Sequence, residues 1–317
     1  MTSTEDTTAG KDDNDVSVCA NCGKGEEESN KLKHCNACMM VKYCNRECQI
    51  AHRPQHKKEC RKRAAELHDE KLFKQPPPLH EDCPICFLRM PILETGNKYM
   101  ACCGKMICTG CVYAPVYDNQ GNKIIERKCP FCRAPYPKSI KEENERLKKR
   151  VEVNDLIAIY NLGVCYRDGM LGFAQNNNKA LELWQKAGEL GYGSAYNSIG
   201  YTYSIGRGVE RDKKKAVYYY EQAAMGGDTV ARANLGNDEW RAGNKERALR
   251  HWMIAARDGH SNSLKIIQIM YFNGHATKDD YTKALRSYQE YLSEIKSKQR
   301  DEAAAADARL RYYESGV

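Results

Sequence analysis

Residues 19 to 132 carry metal-binding side chains in close pairs, separated by segments too short to build a hydrophobic core. In chain order these are Cys19-Ala-Asn-Cys22, Cys35-Asn-Ala-Cys38, Cys44-Asn-Arg-Glu-Cys48, His56-Lys-Lys-Glu-Cys60, Cys83-Pro-Ile-Cys86, Cys102-Cys103, Cys108-Thr-Gly-Cys111 and Cys129-Pro-Phe-Cys132. Thiolates paired in this way hold tetrahedral zinc, and the metal supplies the stability that a small core cannot. Fifteen of the 16 cysteines lie here and, with His56, make sixteen donors, the number four Zn2+ ions require. The remaining thiol, Cys165, sits between Val164 and Tyr166 and reads as a small core residue.

The alternative use of so many cysteines is disulfide bonding. The stretch Met1 to Asp15 is polar and acidic, with no basic start, apolar middle or small-residue cleavage site, and so does not read as a secretory leader. No apolar run reaches the roughly 18 residues that would span a bilayer, which argues against a membrane. The expected compartment is cytoplasmic or nuclear, where thiols stay reduced and bind metal instead. Residues 1–17, with little to bury, are expected to be a disordered tail.

In residues 18–60 the first two pairs have knuckle spacing, in which a turn aims both sulfurs at one ion, and spacing by four puts the later ligands on one helix face. His52 lies four before His56 and His34 adjoins a complete pair, so His56 is the expected imidazole donor. The ending Tyr43-Cys44, Cys48-Gln49 and His56 to Cys60 resembles the MYND-type zinc finger. The resemblance implies interleaved sites: Cys19, Cys22, Cys44 and Cys48 on one zinc, Cys35, Cys38, His56 and Cys60 on another. It also implies binding of proline-containing peptides through an aromatic, but Arg53 stands where that family usually has tryptophan. Residues 61–80 follow as a helix with Ala64, Ala65, Leu67 and Leu72, ending in a polyproline linker at Gln75-Pro-Pro-Pro-Leu79.

The four pairs of residues 81–137 resemble a RING finger of the all-cysteine kind. That family's cross-brace implies that Cys83, Cys86, Cys108 and Cys111 share one zinc, and Cys102, Cys103, Cys129 and Cys132 the second. Where the family has Cys-x-His, this chain has Cys103 and Lys105, so the adjacent Cys102 and Cys103 must share an ion. In RING-type ubiquitin ligases an apolar residue in the first pair and a proline in the last touch the ubiquitin-conjugating enzyme, and an arginine after the final cysteine holds the thioester for attack. Ile85, Pro130 and Arg133 occupy those places; the structural alternative is knuckle packing and a surface charge. Such catalysis is positioning, so no catalytic residue is expected in the chain itself.

Residues 138–154 read as a solvated, charged connector helix. From 155 to 295 a unit recurs: Ala180, Ala216, Ala248 and Ala284 are followed four residues on by Trp184, Tyr220, Trp252 and Tyr288, and eleven on, in the first three units, by Gly191, Gly227 and Gly259. Spacing by four and seven is one helix face and the glycines are helix stops, which predicts about four helix-turn-helix pairs. Phrases such as Ala195-Tyr-Asn-Ser-Ile-Gly200 and Gly206-Arg-Gly208 resemble Sel1-like repeats, relatives of tetratricopeptide repeats, which implies a solenoid that binds protein segments. Residues 296–317 are expected to be a fraying capping helix or tail.

The expected fold is thus multidomain: two small zinc-stabilised α+β modules followed by an all-α helical-repeat solenoid. The expected function is a zinc-binding adaptor and RING-type ubiquitin ligase, with a conjugating enzyme on the RING-like module and a protein substrate or peptide on the repeats. A non-catalytic zinc scaffold is the alternative. The net charge of +8 comes from 50 basic and 42 acidic residues of mixed arrangement, and the basic stretch His56 to Arg63 has no interleaved aromatics, which argues against nucleic acid.

Overall fold

The computed structural model describes residues 17–27, 31–74, 76, 81–114, 116, 117, 120, 123, 124 and 128–314. The expected disordered tail apart from Ser17, and the polyproline linker apart from Pro76, lie outside these residues. The chain divides into two units, Met1–Leu72 and Phe73–Val317.

In the first unit β1 (Lys33–His34) pairs antiparallel with β2 (Lys42–Tyr43), and α1 runs from Arg46 to Leu72. Among the described residues, Leu32 and Tyr43 are the only buried non-cysteine residues of its small core cluster. A burial this slight cannot hold the unit, which makes the cysteines its structural centre. The structure shows no break at residue 60: the finger's last helix and the expected linker helix are one 27-residue helix with Pro54 inside it. Cys44 stands before this helix, and Asn45 caps its start by accepting from the Cys48 N–H at 2.8 Å. Cys48, His52, His56 and Cys60 then follow one i, i+4 row.

The second unit begins with the second cysteine-rich module, residues 81–137. The hairpin of β3 (Asn97–Met100) and β4 (Lys105–Cys108) leads into α2 (Thr109–Val112), a single turn, and a further pair, β5 (Val116–Tyr117) and β6 (Lys123–Ile124), is also antiparallel. The module core is Met90, Met100 and Ile107 around Cys83, Cys108, Cys111 and Cys129. Helix α3 (Ile140–Glu152) differs from the solvated connector expected: Leu147 is buried against Ala158, Leu162 and Cys165 of the first repeat.

The repeats are α4 (Leu156–Asp168) with α5 (Asn177–Glu189), α6 (Gly193–Ile205) with α7 (Lys213–Met225), α8 (Thr229–Arg241) with α9 (Lys245–Arg257), and α10 (Ser261–Phe272) with α11 (Lys278–Ile295). Their sequence dictates both ends and middle. Side chains of Asp155, Asn176, Asp212, Asp228 and Thr277 cap helix starts, and Gly191, Gly227 and Gly259 take φ of +102°, +90° and +101° at the turns. Ala180, Ala216, Ala248 and Ala284 are buried, as are Trp184, Tyr220, Trp252 and Tyr288. The helices touch closely because the facing position is glycine: a Cβ on Gly163 would lie 2.5 Å from the Trp184 ring, and one on Gly236 2.6 Å from Trp252.

The end of the chain differs from a fraying cap. Helix α12 (Lys298–Ala306) and the turn after it fold back onto the module, where Arg300 and Tyr312 are fully buried. Gly110 of α2 faces the Arg300 backbone, and Gly96 faces Tyr312. The module segment from Arg89 to Asn97 is also built into the repeats. Arg89 pairs with Glu294 at 2.7 Å and Asp258 at 3.4 Å and lies over the Tyr291 ring, while the Ile92 N–H donates to the Tyr291 hydroxyl. At the other end of the solenoid the Tyr99 hydroxyl donates to Asp155 at 2.8 Å.

Candidate metal centres

Four of the cysteine pairs share one backbone turn. The N–H of Gly23, Met39, Phe87 and Arg133 donates to the carbonyl of Cys19, Cys35, Cys83 and Cys129 respectively, at 2.8–2.9 Å. Each of these four residues has positive φ, between 56° and 72°. The turn closes on itself and leaves both sulfurs pointing to one side. Cys102 and Cys103 reach the same result differently: Gly104, at φ +72°, donates to Met100 O, and the adjacent thiols ride on the turn.

These turns bring together four groups of ligand atoms, each lying within 4.8 Å of one another: Cys19, Cys22, Cys44 and Cys48; Cys35, Cys38, His56 and Cys60; Cys83, Cys86, Cys108 and Cys111; and Cys102, Cys103, Cys129 and Cys132. Printed on the geometry is a tetrahedral edge. A Zn–S bond of about 2.3 Å sets neighbouring sulfurs about 3.8 Å apart, whereas a disulfide sets them about 2.05 Å apart. The sulfurs of Cys22 and Cys44 are 3.7 Å apart, those of Cys35 and Cys60 3.7 Å, Cys86 and Cys108 3.8 Å, Cys103 and Cys129 3.9 Å, and Cys102 and Cys132 3.4 Å. His56 presents Nε2, 3.2 Å from the Cys38 sulfur. The donor sets fit zinc.

The protons argue the same way. The Cys48 hydrogen bond and burial push the Cys44 thiol up to about 12, and burial with the Cys35 and Cys38 thiols does the same to Cys60. Burial would also raise Cys19, but backbone donors at Cys22, Cys44 and Asn21 outweigh it and bring the thiol down to about 6. Without a cation, thiols this close cannot all ionise; a divalent ion removes that conflict.

Some supporting residues escape a sequence reading. His52, passed over as an imidazole donor, stacks on His56 with ring centroids 5.6 Å apart and meets the Tyr43 hydroxyl at 3.0 Å. The His56 imidazole, the candidate ligand, is therefore held by a second ring, and its signal was the i, i+4 row. His34 is exposed, with its Nδ1 3.0 Å from Met39 O. At the module, Ile85 is half-buried against the core, Pro130 is half-buried in the last knuckle, and Arg133 is exposed in left-handed backbone. Phe87, Phe131 and Tyr113 are exposed aromatics of the same module. Arg300 reaches the sulfur of Cys86, 214 residues away in sequence, and no local pattern announces it.

Comparison with known proteins agrees with this layout in part. Residues 19–60 match the MYND finger, and residues 156–192, 193–228 and 269–289 match the Sel1 repeat. The chain thus carries a MYND finger, which supports zinc binding, ahead of Sel1 repeats, which indicate protein–protein interaction. It is 32% identical over 96 residues to the ERAD-associated E3 ubiquitin-protein ligase component HRD3B of Arabidopsis thaliana, covering 30% of this chain and 15% of that protein. It is 35% identical over 81 residues to the E3 ubiquitin-protein ligase DA2 of the same plant (24% and 18%). Protein sel-1 homolog 2 of Homo sapiens is 31% identical over 121 residues (38% and 17%). The chain spans only about a sixth of the length of these relatives. Among solved structures, a Sel1 repeat protein from Oxalobacter formigenes is 32% identical, covers 49% of this chain and 65% of its own, and superposes with a TM-score of 0.44. No helix among the described residues is long and apolar enough to cross a membrane.

Proposed function

We propose that this chain is a zinc-dependent adaptor with RING-type ubiquitin ligase activity, holding four Zn2+ ions on the four donor sets and acting in the cytoplasm or nucleus. The observation that carries the reading is the interleaving of the second module. Its first and third pairs form one group and its second and fourth the other, so the knuckle bearing Ile85 is clamped to Cys108 and Cys111, the knuckle bearing Pro130 to Cys102 and Cys103, and the short segment 102–111 joins the two clamps. Ile85, Pro130 and the exposed Phe131 form the surface for a ubiquitin-conjugating enzyme, and Arg133 holds the donor thioester in an attack-ready pose. No chain cysteine carries ubiquitin: all but Cys165 are committed to metal, and Cys165 is buried.

The substrate binds the repeats. Exposed Tyr201 and Ile205 on α6, Trp240 on α8, and Ile269 and Phe272 on α10 recur on the first helices of successive repeats and offer an apolar surface to a protein segment. The partial likeness to proteins named as ubiquitin ligase or ligase component supports the same direction.

A second reading is favoured by one observation: the module is built into the solenoid by Arg89, Tyr99 and Arg300, as a structural brace would be. Discharge of ubiquitin from charged conjugating enzymes separates the two. The ligase reading expects discharge that falls at least tenfold with Ile85→Ala or Arg133→Ala while zinc content stays at four. Absence of discharge across a panel of conjugating enzymes leaves the brace.

A further inference from the structure

Arg300 poses an electrostatic problem. Its side chain is fully buried, yet its hydrogen-bond partners are three carbonyls, Ile295 O at 2.6 Å, Arg89 O at 2.9 Å and Leu88 O at 3.5 Å, and the Cys86 sulfur at 3.8 Å. Nε has no partner. No carboxylate is among these partners, and a guanidinium out of water without a counter-anion is costly. The nearby group able to supply negative charge is the set Cys83, Cys86, Cys108 and Cys111, which as four thiolates around one Zn2+ carries two net negative charges. The preceding residue, Gln299, places its Oε1 3.8 Å from the sulfur of Cys111, a second member of the same set, accepting from the thiol; a half-turn of the amide presents Nε2–H to a thiolate there. Two consecutive residues of α12 therefore touch two ligands of one cluster.

We infer that α12 is the outer wall of this metal centre: Arg300 donates to its Cys86 thiolate, with Gln299 beside Cys111, so the metal and the C-terminal end of the solenoid hold each other in place. The inference rests on the reading that this donor set carries zinc. Donation from a guanidinium draws charge off sulfur and orients the ligand, as outer hydrogen bonds do in other metal sites. Without the ion the four sulfurs no longer offer that net charge to the buried Arg300, and the segment 298–313 has reason to detach. Gly110 is required for the same contact, because a Cβ there would stand 2.8 Å from the Arg300 backbone nitrogen.

The test uses the full chain and counts zinc released to a chromogenic chelator. Wild type is expected to hold four equivalents. Arg300→Met is expected to lose one of them at 10- to 100-fold lower chelator concentration, and Arg300→Lys to recover part of the loss. In the cobalt-loaded protein the sulfur-to-metal absorption is expected to shift for Arg300→Met. Tyr312→Phe removes the Tyr312–Asp301 hydrogen bond from the same segment without touching sulfur, and is expected to leave that absorption where it is. Should Arg300→Met fail to fold, hydrogen exchange of 298–313 in wild type is expected to rise on chelation. Four equivalents in wild type with an unchanged release profile in Arg300→Met, or unchanged exchange on chelation, overturns the inference. Fewer than four in wild type, with the loss mapped to this donor set, overturns the zinc reading beneath it.

Discussion

Asp155 is the residue at which the module, the connector helix and the first repeat meet, and its removal tests whether they form one structure. Its carboxylate is 9% exposed. One oxygen accepts from Ile157 N and Ala158 N, both at 3.1 Å, capping α4; the other accepts from the Tyr99 hydroxyl at 2.8 Å and from Arg150 Nε and Nη2 at 3.0 and 2.8 Å. An N-cap is worth about 1 kcal/mol, and a buried hydrogen bond to a charged acceptor about 2 kcal/mol. Arg150 is one-third exposed, so its ion pair adds no more than about 1 kcal/mol. Asp155→Ala is therefore expected to cost about 4 kcal/mol, and Asp155→Asn, which keeps a cap acceptor, about half of that. Urea unfolding followed by helical circular dichroism reads this as a drop in midpoint of about 1 to 2 M, given a slope of about 2 to 3 kcal/mol/M. A cycle with Tyr99→Phe isolates the link between module and repeat, for which coupling near 1 kcal/mol or more is expected. If Asp155→Ala stays within about 0.5 kcal/mol of wild type, the module is not anchored there and the reasoning fails.

Gly236→Ala gains about 1 kcal/mol of helix propensity but places a methyl 2.6 Å from the Trp252 ring, where overpacking costs about 1 to 3 kcal/mol. A net loss is expected in the same urea assay, and a more stable variant would show that the ring has room. Burial raises the Tyr220 and Tyr291 hydroxyls to about 12. Because their folded values lie above the unfolded one of about 10, the stability they contribute is complete below pH 10 and is lost as pH rises toward 12. Tyr220→Phe is expected to flatten that alkaline decline, which a urea series at pH 9 to 11.5 measures. Removing zinc from the finger at 19–60 deletes on the order of 10 kcal/mol from a unit whose other buried core is Leu32 and Tyr43. Trypsin is expected to cut α1 at Lys57, Lys58 or Arg61 after chelation and not before, and continued protection would mean that the helix stands without metal.

How much of this could be read in advance depended on the range of each signal. Ligand pairs are local, so the sixteen donors could be named from spacing, but which pair joins which is a matter of topology and came only from family resemblance. Repeat positions such as Ala216 and Tyr220 are periodic, and the period carried their burial. What stayed hidden is neither local nor periodic. Arg300 lies in Lys-Gln-Arg-Asp-Glu, a string that reads as solvated, and is buried only because the chain returns to the module 214 residues later. Leu147 was masked in the same way by the charges around it in α3, whose other face is the one that packs.

A solenoid ordinarily stacks repeats that touch only their neighbours, so its stability adds along one dimension and damage at one end is not felt at the other. Here the segment 89–99 is bonded at α4 through Tyr99 and Asp155 and at α11 through Arg89, Glu294 and Tyr291. The same segment is held in shape by a module whose buried core is four cysteines, two methionines and Ile107. Such a core is too small to stand on burial alone; the repeats supply part of what is missing, and the zinc proposed for its two donor sets would supply the rest. The dependence is mutual. First and last repeats are joined through the module, so their energies cease to be independent, and the spread of the repeats is set by the length of the strap 89–99. A lesion in α11 is then transmitted to α4 by way of segment 89–99, from Arg89 and Ile92 to Tyr99, a route that sequence-neighbour contacts in the solenoid do not contain.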